Sequence, residues 1–198
     1  MVIFGITGGS GSGKTSVSKM LEKLGVHIID TDVIAHEIVE PNSDCLNELV
    51  DYFGDSILND DKTLNRKKLA SIAFSDKQKT EALSNITHKY IKAEVVKDIN
   101  TTDAELVGID GAVIIGSNIE PLCEFIVSVI ADKQSRITRI KTRDNITDEQ
   151  AIQRINAQND DEFYKENSMY IIYNNGDIAQ LESDVVVLFN KIKGNSFE

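Results

Sequence analysis

Short runs of β-branched and aromatic residues alternate along this chain with stretches in which apolar residues recur every three or four positions. The runs VIFGIT (2–7), VHIID (26–30), AELVGID (104–110), EFIVSVIA (124–131) and MYIIY (169–173) are the expected strands. They are short and rich in β-branched residues, as strands covered by helices on both faces must be. Between them Val17, Met20, Leu21 and Leu24 repeat at helical spacing, as do Ile178, Leu181, Val185, Leu188 and Ile192. Strand and helix in alternation predict an α/β fold with a five-stranded parallel sheet. Thr147-Asp-Glu-Gln150 has the form of a capping box and predicts a helix through about Gln158. Asn174-Asn175-Gly176 separates the last strand from the last helix.

One stretch breaks the alternation. Residues 43 to about 100 carry helical periodicity, at Leu46, Leu49, Val50 and Phe53 and again at Leu83, Ile86 and Tyr90, with no strand pattern. An all-helical insertion between the second and third strands is therefore expected. With 198 residues the chain can build one well-cored domain with appendages, and is too short for two catalytic domains. The expected division is a core at about 1–42, 101–132 and 168–198, the insertion at about 43–100, and a helical lid at about 133–167.

Charge narrows the partners. Lys and Arg number 21 against 32 Asp and Glu, a net charge of −11, so the surface repels nucleic acid and anionic lipid, and neither is expected as a partner. If the ligands are anions, the cations must be concentrated at the site. Cys45 and Cys123 lie far apart among apolar neighbours without metal-ligand spacing, which suits reduced thiols in a cytoplasmic protein. The first seven residues lack a basic leader and run into a glycine loop, so no signal peptide is expected, and no apolar run approaches the roughly 20 residues of a membrane span.

That glycine loop carries the chemistry. Gly8-x-x-x-x-Gly13-Lys14-Thr15 follows the first strand and precedes a helix, the setting a phosphate-binding loop needs. Glycines let successive N–H groups turn inward around an anion at the positive end of a helix. Lys14 then reaches the β- and γ-phosphates, and the Thr15 hydroxyl ligates Mg²⁺. A dinucleotide-binding turn is the structural rival, with Asp30 at the ribose position, but no frame of the run satisfies G-x-G-x-x-G. The fold expected is thus a P-loop three-layer α/β/α core with a helical insertion and a helical lid.

Carboxylates and cations complete the set of candidates. IIDTDVIAHEI (28–38) places Asp30 and Asp32 at the carboxyl end of the second strand, where ligands of open α/β sheets bind. Asp32 is the candidate base for an attacking hydroxyl, and Asp30 a helper through water at Mg²⁺; capping the following helix is the alternative for either. Asp110, closing the third strand, is a candidate for the magnesium shell or for substrate contact. Between Lys133 and Arg143, KQSRITRIKTR holds five basic residues and no acid. Arg136, Arg139 and Arg143 stand at i, i+3 and i+7, one face of a helix that could close over a polyphosphate, or else a solvated basic face. A second basic cluster, NRKKLA (65–70), falls in the insertion.

Taken together, the segments GITGGSGSGKT, IIDTDVIAHEIV, YFGDSILNDDKTLNRKKLASIAF, ITH, RIKTRDNIT, AIQRINAQ and YNNGD, in this order and nearly end to end, make the sequence resemble the dephospho-coenzyme A kinase family. The resemblance implies transfer of the ATP γ-phosphate to the ribose 3′-hydroxyl of dephospho-CoA, with Mg²⁺. It implies that Gly11, Ser12, Gly13, Lys14, Thr15 and Ser16 bind ATP, that Asp32 is the base, that His36, Arg66 and His88 lie on the acceptor side, and that Asn174 lies near the adenine. Three places depart from the family pattern: GAVIIG (111–116) lacks its proline and acid, Lys89 stands where proline is usual, and Met169 where aspartate is usual. These bear on the acceptor more than on ATP. A nucleoside or nucleotide kinase on the same scaffold is the neighbouring enzyme reading. A nucleotide switch is the non-enzyme one; it is supported only by Asp51-Tyr-Phe-Gly54 and lacks a guanine-reading N/T-K-x-D motif.

Overall fold

The computed structural model describes residues 1–194; residues 195–198 of the expected core lie outside them. Strands β1 (Val2–Thr7), β2 (His27–Asp30), β3 (Leu106–Asp110), β4 (Phe125–Ile130) and β5 (Tyr170–Tyr173) form one sheet in the order β2-β3-β1-β4-β5, with every pair parallel. The five strands therefore fall where the apolar runs predict them. Every residue of β3 and β4 is buried, which is why neither alternates in polarity.

The chain folds into two units, one formed by Met1–Asp30 with Thr102–Glu198 and the other by Thr31–Thr101. In the sheet unit, α1 (Lys14–Lys23) and α9 (Ile178–Gly194) pack against one another and cover one sheet face. Val17 and Leu21 of α1 and Leu181, Val185, Leu188 and Ile192 of α9 meet Phe4, Ile6, Val127 and Val129 there. Phe4 and Phe125, register partners on adjacent strands, stack with centroids 5.4 Å apart, and Tyr170 meets Phe125 edge-on at 5.4 Å. After β4 come α6 (Lys133–Asp144), α7 (Asp148–Asn156) and α8 (Asp161–Glu166). α7 opens with the predicted capping box, Thr147 and Gln150 each bonding the other's backbone N–H.

The helical unit holds α2 (Thr31–Glu37), α3 (Asp44–Phe53), α4 (Arg66–Ala73) and α5 (Lys77–Thr101). It begins at Thr31, earlier than the boundary near residue 43 expected from periodicity, because the short α2 packs on α5. Its 25-residue α5 is the spine on which α2, α3 and α4 pack. Ser43 caps α3 through the Leu46 N–H at 3.2 Å, and Asn65 caps α4 through Lys68 N–H at 2.9 Å.

Two substitutions probe this account of stability. Phe4→Ala, which empties a fully buried site in the aromatic row, lowers the free energy of unfolding by about 3–5 kcal/mol. Thr147→Ala, which removes one exposed cap, lowers it by about 1 kcal/mol. Urea denaturation followed by circular dichroism measures both, and equal effects would contradict the assignment of Phe4 to the core.

Candidate active site

The loop between β1 and α1 is built from backbone geometry that side chains oppose. Gly11 and Gly13 have φ of 78° and 97°, in the left-handed region. A Cβ on Gly13 would overlap the Asn174 amide, and one on Gly11 would press on the Arg136 backbone. Among the described residues, the N–H groups of Gly11, Gly13, Lys14 and Thr15 donate to no carbonyl. The buried Ser12 hydroxyl has no hydrogen-bond partner. Unspent donors at the start of a helix, with an orphaned buried hydroxyl beside them, fit an anion. Thr15 and Ser16 are exposed in the first turn of α1.

The loop's carbonyls are satisfied from behind. Arg139 Nη1 donates to Gly11 O at 3.3 Å and to Ser12 O at 3.2 Å. Its Nη2 reaches Asn174 O at 3.0 Å and Asn174 Oδ1 at 3.3 Å. Asn174 is buried and its amide nitrogen donates to Ser12 O at 2.7 Å. Arg136, 5 % exposed, sends Nε to Ser10 O at 2.9 Å, and its Nη1 faces Asp161 at 3.7 Å. The structure thus brings Arg136, Arg139 and Asn174 together at the loop. It does not bring Arg143, whose Nε and Nη2 donate to Asp144 at 2.8 and 2.9 Å on the exposed end of α6. Arg139 donates here to neutral acceptors, with the Asp132 carboxylate within range of its charge.

Lys14 forms an ion pair with Asp110, which is 2 % exposed. The other oxygen of Asp110 accepts from the Ser18 hydroxyl at 2.6 Å. Asp110, expected in the magnesium shell or at the substrate, is therefore engaged with the loop lysine and with α1. Ser18 was missed from sequence. One turn beyond Lys14 it faces the same way, and that spacing is the signal that could have found it. Asp30 ends β2 and is the register partner of Asp110.

In the helical unit Asp32 is exposed in the first turn of α2, and the His36 ring nitrogen Nδ1 bonds the Asp32 carbonyl at 2.7 Å. Ala35 and Val39, from α2 and the residues just after it, line a groove of about 340 Å³ whose other walls include Leu69, Phe74 and Leu83. Arg66 and His88 are the charged or titratable side chains on its lining. The structure therefore brings Arg66 and His88 to one groove and puts Asp32 and His36 on a helix beside it. Lys89, where the family pattern has proline, forms an ion pair with Glu48 of α3, and Tyr90 donates to the same oxygen at 2.7 Å. These bonds, Lys89 first, hold the Glu48 carboxyl below its usual range and tie α5 to α3. Gly116, ending the departing GAVIIG run, turns with φ 78° and donates its N–H to Glu120 at 2.6 Å.

Comparison with known proteins agrees with this geometry. A family model described as dephospho-CoA kinase matches residues 2–180. A dephospho-CoA kinase of Lactobacillus johnsonii is 34% identical over 95% of this chain and 96% of its own length. Among solved structures, TT1252 from Thermus thermophilus superposes with a TM-score of 0.84 at 25% identity, covering 96% of this chain and 97% of that one. The dephospho-CoA kinase from Campylobacter jejuni superposes with a TM-score of 0.72 at 27% identity, covering 98% of each. Among the described residues no helix is long and apolar enough to cross a membrane.

Cys45 and Cys123 are free thiols. Burial pushes Cys45 up to about 11 and Cys123 up to about 12, so near pH 8 only about one in a thousand and one in ten thousand are thiolate. Iodoacetamide at that pH leaves both unlabelled in the folded protein and labels both in guanidinium, as mass spectrometry will read. Gly13→Ala abolishes binding of a fluorescent ATP analogue, because the new methyl group meets the Asn174 amide and the loop cannot keep its left-handed φ.

Proposed function

The chain belongs to the dephospho-CoA kinase family, and from that membership we propose a mechanism for the ATP-dependent phosphorylation of dephospho-CoA, an enzymatic step of coenzyme A synthesis. The observation that carries it is the phosphate loop, whose unspent N–H groups stand beside the Lys14–Asp110 pair and the Arg139 guanidinium. The amides of Gly11, Gly13, Lys14 and Thr15 hold the triphosphate, and Lys14 and Arg139 offset the charge that develops on the transferring group. The acceptor is the ribose 3′-hydroxyl of dephospho-CoA. As its oxygen bonds the γ-phosphorus, its proton passes to the Asp32 carboxylate and the bond to the ADP oxygen breaks. The Thr15 hydroxyl would hold magnesium, which would supply charge neutralisation on the phosphate oxygens.

The groove of the helical unit supports a role in holding the acceptor. Its walls are mostly apolar, with the Arg66 guanidinium and the His88 ring at its lining. That combination suits a ligand with an apolar arm and an anionic group. Its small volume, about 340 Å³, suits part of such a molecule rather than the whole.

ADP release measured by a coupled assay with dephospho-CoA, adenosine and AMP as competing acceptors tests the reading. Dephospho-CoA is the preferred acceptor; equal rates with adenosine would turn the assignment toward a nucleoside kinase. Asp32→Asn lowers kcat by about 10²-fold or more while ATP affinity stays near that of the unmodified protein. Unchanged kcat in that variant removes Asp32 from the chemistry.

A further inference from the structure

Behind the phosphate loop, a glutamine far along the chain is bonded to the loop's own backbone. Gln158, just past the end of α7, accepts at Oε1 from the Ser10 N–H at 2.7 Å and from Arg136 Nη2 at 3.2 Å. Arg136 Nε in turn donates to Ser10 O at 2.9 Å. Both groups facing Oε1 are donors, so the oxygen must point at them and the amide nitrogen away.

The Ser10 N–H belongs to the Gly9–Ser10 peptide and the Ser10 carbonyl to the Ser10–Gly11 peptide. The Gln158–Arg136 pair therefore pins two successive peptide planes, immediately before the left-handed Gly11. A Cβ on Gly9 would run into the Arg136 guanidinium, so the pair lies hard against the loop. None of these contacts is part of the catalytic set above. A peptide plane held at one end can still rotate, and a plane that rotates takes its neighbour's N–H out of the anion cradle. Arg136 alone fixes only the second plane; Gln158 fixes the first and also orients the guanidinium.

We infer that Gln158 is a positioning residue for the nucleotide, a side chain between α7 and α8 that presets the phosphate loop for a triphosphate without touching it. The inference rests on the nucleotide reading of the loop. It concerns pre-organisation: binding energy not used in ordering the loop appears as affinity. Removing Gln158 leaves the Ser10 N–H and one N–H of a buried guanidinium without their acceptor. Since Gln158 is half-exposed, the helix it follows keeps its core packing through Ala151 and Ile155.

The test compares the unmodified protein with Gln158→Ala and Gln158→Glu. Equilibrium titration of a fluorescent ATP analogue gives its Kd, steady-state assays give KM for each substrate, and thermal melts give Tm. Gln158→Ala weakens the analogue about tenfold and raises KM for ATP by the same factor, with KM for dephospho-CoA unchanged and Tm lowered by no more than about 4 °C. Gln158→Glu, which keeps an acceptor oxygen opposite the Ser10 N–H and Arg136, brings Kd back to within about threefold of the unmodified protein. The inference is overturned if the alanine variant binds the analogue as tightly as the unmodified protein, or if the glutamate variant binds as poorly as the alanine one. It is equally overturned if both KM values rise together with a falling Tm, which marks a purely structural role. If the unmodified protein itself fails to bind the analogue, the nucleotide reading fails, a different result from any of these.

Discussion

A backbone that turns several N–H groups toward one ligand must turn its carbonyls elsewhere, and carbonyls shut away from water need donors. In this protein the carbonyls of Ser10, Gly11 and Ser12 meet Arg136, Arg139 and Asn174. That requirement explains why an arginine-rich helix and the asparagine after the last strand lie beside a loop near the start of the chain. A guanidinium has five N–H donors in a rigid plane, so Arg139 can serve Gly11, Ser12 and Asn174 at once. A lysine at that position would be a point donor on a flexible stem and would leave some of these acceptors unmet.

The same view organises the charges. With a net charge of −11 the chain has few cations to spare, and near the loop they differ in how they are compensated. Asp110 pairs with Lys14, Asp161 faces Arg136, and Arg139 donates to neutral acceptors with Asp132 within range of its charge. Positive potential at the loop is thus shared by Lys14, Arg139 and the start of α1, with Lys14 aimed by its carboxylate partner. The buried Asp110 has both oxygens engaged, by Lys14 and Ser18, so it is a fixed anchor.

What could be read from the residues alone follows the range of the forces involved. The five strands were readable because burial on both faces leaves a local mark, an apolar run, and the cap at Thr147 because it is a four-residue pattern. The start of the helical unit at Thr31 was not, because α2 is assigned by its packing on α5, some fifty positions away along the chain. α5 itself packs against α2, α3 and α4, so its apolar positions spread around the helix instead of forming one stripe. Arg143 shows the limit of spacing arguments. Angle puts it on the face of Arg136, but seven residues of rise carry it about 10 Å along the axis, to Asp144. Gln158 left no local mark at all, since its partner lies 148 positions earlier.

The strand that carries the phosphate loop precedes both of its sheet neighbours along the chain and lies in the middle of the sheet. Both its neighbours, β3 and β4, come from beyond residue 105. On a ribosome adding about 5–20 residues per second, β1 waits roughly 6–25 s before the end of β4 has been polymerised, and longer before that stretch clears the exit tunnel. For that interval an apolar strand and its glycine turn have no sheet to join. During synthesis the backbone edges of β1 are thus unpaired until residues far along the chain arrive to cover them.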